Sequence, residues 1–125
     1  MAALPASPDF YRYPCVMNFT DLIQRFAAQA PGTDSFLKVK EGSLALVSSD
    51  SEHAAAYFLI YGFARSYVLL YEDQGIDPAF AETAKTQLLS YMKRLDEAFK
   101  SGAAGDLVAA MNWIVLDYGR SGKIF

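Results

Sequence analysis

Residues 54–71 read AAAYFLIYGFARSYVLLY, eighteen positions with a single charge at Arg65. At 100° per residue, Tyr57, Tyr61, Ala64 and Val68 share one side of a helix, while Leu59, Phe63 and Leu70 point nearly opposite. A helix that is apolar all round is either buried all round or set in a membrane. A membrane span needs about 20 predominantly apolar residues, with basic flanks to orient it. This stretch is shorter, holds Arg65 and Ser66 near its middle, and has no Lys or Arg beside it. It is therefore predicted as the buried central helix of the fold, with no membrane partner. Asp50, Ser51 and Glu52 suit its start, where a hydroxyl accepts from free amides and acids face the positive end of the dipole. Gly75 suits its end, so the helix is bounded at roughly 51–74. One narrow strip (Ala55, Gly62, Ser66, Asp73) is small enough to let a second helix approach closely.

The rest of the chain reads as material to cover that helix. A first helix is expected from near Thr20 to about Ala30, with Phe19, Leu22, Ile23, Phe26 and Ala30 on one stripe, ended by Pro31-Gly32. Residues 33–50 carry Phe36-Leu-Lys-Val-Lys, then Glu41-Gly42, then Ser43-Leu-Ala-Leu-Val, which suggests two short strands around a tight turn. A helical turn capped by Ser35 is the other reading of this segment. Asp77-Pro78 starts a long helix whose apolar face is Phe80, Ala84, Leu88, Tyr91, Leu95, Ala98 and Phe99. Lys85 falls among its polar residues, and Lys93 with Glu97 and Asp96 with Lys100 are spaced to pair. A last helix from about Asp106 to Tyr118 has Leu107, Met111, Ile114, Val115 and Tyr118 as its core stripe. Residues 1–17 are broken by Pro5, Pro8 and Pro14 and carry Phe10, Tyr11 and Tyr13, which predicts an extended aromatic strap. The expected fold is mainly α: one domain over residues 1–125, a four-helix bundle around the buried central helix, with the strap and one small β-hairpin.

Composition and motifs narrow the function by exclusion. A net charge of −3 over 125 residues supplies no clustered positive field, so nucleic acid is not expected as a partner. The single cysteine, Cys15, forbids an internal disulfide, and the opening residues lack an export signal, which points to the cytoplasm. The only histidine is His53, so no imidazole or thiolate cluster is available for a metal, and no cofactor is expected. Gly102-Ala-Ala-Gly105 precedes a helix without the lysine of a phosphate loop. These exclusions predict that the chain is not an enzyme.

Two features remain. A buried, unpaired guanidinium is prohibitive, so Arg65 is expected to meet Glu72 or Asp117, or to anchor an acidic ligand in a pocket with Tyr57, Tyr61 and Met92. Trp113 and Leu116 lie off the core stripe of the last helix, on a second apolar face to be covered by the strap (Phe10, Tyr11, Tyr13) or by a second subunit. The function expected is a non-enzymatic protein–protein interaction module, a small adaptor, chaperone or neutralising, immunity-type partner, working as a homodimer that binds another protein. The alternative is a helical bundle that binds a small molecule or lipid through the Tyr and Arg pocket.

Overall fold

The computed structural model describes residues 17–122 and 124–125. Over these the chain is mainly helical, with α1 at Phe19–Ala28, α2 at Thr33–Ser49, α3 at Ala54–Tyr71, α4 at Pro78–Ser101 and α5 at Ala104–Arg120. A 3₁₀ turn at Ser51–His53 leads directly into α3. The strap residues Phe10, Tyr11 and Tyr13, and Cys15 with them, lie outside the described residues.

Helices α1 and α4 follow from period and capping. The Asn18 side chain accepts from the Asp21 amide at 2.8 Å, satisfying one of the free donors at the start of α1. Its inward face is Phe19, Leu22, Ile23 and Phe26. Pro78 fills the first turn of α4, and Gly102 closes it with φ 73°, a left-handed stop that glycine takes without a Cβ clash. The expected face of α4 is buried at Ala84, Leu88, Tyr91, Leu95 and Ala98. Lys85, expected among its polar residues, is also buried. Its ammonium donates to the Ala27 carbonyl at 2.9 Å and the Gln29 carbonyl at 2.7 Å. These acceptors lie at the end of α1, where carbonyls lack helical partners and the dipole is negative, so the buried cation is satisfied.

Residues 33–49 overturn the hairpin. They form one helix, which gives five helices rather than four among the described residues. The inward positions are Ser35, Phe36, Val39, Ser43 and Leu46, a helical spacing in which two of five side chains are small and polar. Ser35 Oγ donates to the Gly32 carbonyl at 2.9 Å and Ser43 Oγ to the Val39 carbonyl at 2.6 Å. Their hydroxyls are thus satisfied within the helix, and burial leaves no orphaned donor. Such small side chains let α3 lie close, and α2 with α3 makes the most extensive helix pair. Phe36 stacks on Tyr67 with ring centroids 3.8 Å apart. At Gly42 a Cβ would stand 2.6 Å from Leu22 Cδ1, so the missing side chain lets α1 close on α2.

α3 is central but is not buried all round, a second correction. Its inward side is Ala56, Tyr57, Ile60, Phe63, Ala64, Tyr67 and Val68. The small residues on this buried side are Ala56 and Ala64, while Ala55 and Gly62 of the expected strip are exposed. Only four other helices surround it among the described residues, and one arc is left uncovered.

The core is continuous through all five helices and is completed from the tail. Phe125 is 1% exposed and sits against Phe63, Tyr91 and Tyr118, with Phe36 beyond. Tyr71 donates its hydroxyl to the Ile124 carbonyl at 2.8 Å, and Tyr118 donates to the Phe125 carbonyl.

Candidate functional site

The uncovered arc of α3 runs through Ala55, Phe58, Gly62, Arg65 and Leu69, alternating steps of three and four residues, the spacing of a helix–helix seam. Phe58 is 58% exposed and Leu69 59%. Tyr61, half-buried at the margin, holds its ring 5.3 Å from that of Phe58. A Cβ built on Gly62 meets nothing within 4 Å. Arg65 lies on this arc in solvent, so its guanidinium needs no buried partner. It makes no ion pair with Glu72 or Asp117 among the described residues, contrary to expectation. Glu72 is exposed at the end of α3. Asp117 instead accepts a hydrogen bond of 2.8 Å from the buried Tyr91 hydroxyl, and burial pushes that phenol up to about 12.

On α5 the two expected apolar faces are separate. Trp113 is 39% exposed. It lies edge-on to Tyr91, and the Arg94 guanidinium sits 3.5 Å over its ring, a cation–π contact. Leu116 is exposed, and so is Val115, which the sequence placed in the core stripe. Val115 and Val108 lie one step round the helix from Met111 and Tyr118, on the flank away from Tyr91. Tyr118 packs its ring 4.8 Å from Phe63 of α3. Val108 and Val115 thus share the side of α5 next to Tyr118, the residue that meets α3.

A polar cluster sits at the start of α3, at the spacing i, i+3, i+7. The Tyr57 hydroxyl donates to Asp50 at 2.6 Å, and His53 Nδ1 lies 2.8 Å from the same carboxylate oxygen. Since a carboxylate only accepts, His53 donates through Nδ1. Its ring packs 4.5 Å from Phe99. Beside it Thr20 donates to Asp96 at 3.0 Å, and Lys100 pairs with Asp96 at 3.0 Å. The His53 and Tyr57 hydrogen bonds hold the Asp50 carboxyl below the usual carboxylate range, and burial holds Tyr57 well above the usual phenol range. Asp50, Glu52 and His53 bring one ligand atom each within 4.8 Å of one another. One Asp50 oxygen already accepts from both Tyr57 and His53, so a cation held through that oxygen or through His53 Nδ1 would have to displace these bonds. No hydroxyl or thiol nucleophile bonds the histidine among the described residues. The cluster is built to fix the entry of α3.

Comparison with protein-family models, with curated proteins and with solved structures found no match. The reading of the surface therefore rests on its own chemistry. Tyr57, Tyr61 and Arg65, expected to line one pocket, pass along α3 from core to solvent: Tyr57 is buried, Tyr61 half-buried and Arg65 exposed. Met92, expected beside them, is fully buried in α4. Sequence reasoning missed the Asp50 cluster, although the spacing of Asp50, His53 and Tyr57 was its signal.

The cluster makes a pH-dependent contribution with a definite sign. A carboxyl held low in the fold stabilises above its unfolded value near pH 3.9, and that part is lost as pH falls through the folded value. Asp50 is partly open to solvent, which screens the effect to about 0.5–1 kcal/mol. Urea midpoints of the wild type and Asp50→Asn should differ at pH 7 and converge toward pH 3. A gap that stays constant would mean the carboxylate charge is not what holds the turn.

Proposed function

We propose that the chain is a non-enzymatic protein–protein interaction module that self-associates through the α3 arc and the Val108 and Val115 flank of α5. The observation that carries this reading is that the most apolar helix of the protein leaves Phe58 and Leu69 more than half exposed on one continuous seam. Contiguous apolar surface of this kind marks interaction sites. A second copy suits the seam because it is self-complementary. About a two-fold axis at Gly62, antiparallel helices set Phe58 opposite the partner's Ser66 and Ala55 opposite the partner's Leu69. Each large side chain then meets a small one, and the Arg65 charges stay apart. The α3 arc is about 27 Å long and about 10 Å wide, or about 300 Å², whereas a stable dimer buries about 800 Å² per partner. Val108 and Val115 must therefore share the interface. A cytosolic adaptor, chaperone or neutralising partner is the kind of role such a module serves, with another protein held by the dimer.

Sedimentation equilibrium tests it with one pair of variants. In the protomer Gly62→Ala meets no obstacle and gains helix propensity, which raises stability by about 0.5–1 kcal/mol. In the dimer it pushes the two helices apart, so self-association should weaken at least tenfold while thermal stability of the protomer rises. Phe58→Asp should give a folded monomer. A wild type that sediments as a single chain at tens of micromolar would sink the homodimer. A dimer indifferent to both substitutions would place the interface elsewhere.

A further inference from the structure

Four of the five helices close on one another, and the fifth does not. α1 packs on α2, α2 on α3, α3 on α4, and α4 returns to α1, whereas among the other helices only α4 packs along α5. Two of the seventeen residues of α5 are buried, Ala110 and Ile114, against seven of eighteen on α3. Among the described residues, half of the exposed large apolar side chains belong to this one helix: Val108, Trp113, Val115 and Leu116. Its remaining ties gather at its far end. Asp117 accepts from Tyr91, Tyr118 meets Phe63, and Phe125 packs against the Phe63 and Tyr91 rings, with the Ile124 carbonyl held by Tyr71. At its start no side chain caps the helix, and the connection to α4 is Gly102 and Ala103, both exposed. Regions with few buried apolar contacts open at lower free energy than the whole molecule. Once detached, α5 does not keep its helix. A segment of this length is marginal alone, and Gly105, Gly119 and the β-branched Val108, Ile114 and Val115 weaken it further.

We propose that α5 and the tail open together as one unit, turning at Gly102 and Ala103, while α1–α4 stay folded. α5 is then a lid, and Phe125 pins it shut. Opening uncovers the Phe63 and Tyr91 rings, which lie 5.5 Å apart on α3 and α4, and frees the Asp117 carboxylate from the Tyr91 hydroxyl. The closed ring of α1–α4 keeps its own contacts throughout.

Native-state hydrogen exchange of the full chain tests the lid. Amides of residues 110–117 should exchange about tenfold faster, or more, than those of residues 60–68 in α3. Low urea should change the α5 rates less, because the opening exposes less surface than global unfolding does. Two substitutions separate the lid from the body. Val39 is fully buried and lies between α1 and α2, so Val39→Ala weakens the body alone. It should speed exchange in α3 about tenfold, from the loss of two buried methyl groups, and leave the α5 rates as they were. Ile114→Ala, on the lid itself, should speed exchange in α5 as well as in α3. Protection in α5 equal to or above that in α3 would overturn the proposal. So would α5 rates that rise in Val39→Ala as much as those of α3, since both outcomes mean that the protein opens only as a whole.

Discussion

Phe36→Ala is expected to lower stability by about 3–5 kcal/mol, the range for truncating a fully buried aromatic. Phe36 has no exposed surface. It stacks on Tyr67, meets Phe26 edge-on at 5.3 Å and reaches toward Phe125 at 6.2 Å. One ring therefore ties α2 to α1, α3 and the tail, and the cavity it leaves has walls on three elements that cannot all collapse at once. A domain of this kind has about 5–15 kcal/mol in total, so the variant should be marginal at 37 °C. Leu44→Ala, on the outer side of the same helix, removes a similar apolar group that is 45% exposed and should cost less than about 1 kcal/mol. Urea denaturation of the two variants reads the contrast directly. Equal losses would mean that α2 does not present the face described.

Phe125→Ala should cost a similar amount, about 3–5 kcal/mol. Its ring fills the space between Phe63, Tyr91 and Tyr118, and the carbonyls around it are held by the Tyr71 and Tyr118 hydroxyls. Because the Phe36 and Phe125 rings pack on each other, 6.2 Å apart, the double variant should lose less than the two single losses added together. Thermal unfolding of Phe125→Ala within a degree or two of the wild type would show the tail to be an ornament on the core rather than part of it.

The helices that were legible in the sequence are those whose burial rests on large apolar side chains at helical spacing between chemical stops. α1 and α4 are of this kind. α2 was not legible because two of its five inward side chains are serine. Apolar bulk was the signal sought, and in its absence the alternation at Leu37, Lys38, Val39 and Lys40 and the Glu41-Gly42 pair imitated a hairpin. α3 failed in the opposite direction. Its composition is apolar on every side, but composition does not count neighbours, and the described residues supply too few helices to enclose it. Arg65 was misread for the same reason: on an uncovered arc it needs no acid. Trp113 and Leu116 are both exposed, and only coordinates reveal Arg94 lying over the indole.

The closure of the core by Phe125 also bears on the order of folding. α2 and α3 are neighbours along the chain and share the largest contact, so the loop that brings them together is short and its entropy loss small. Phe125 reaches Phe36 only across nearly the whole described sequence, a contact that is reached late on the folding route. Interactions absent from the transition state act on the unfolding rate and leave the folding rate nearly untouched. The tail aromatic is thus expected to act as a latch on the finished protein: Phe125→Ala should speed unfolding far more than it slows folding, while substitutions between α2 and α3 should slow folding.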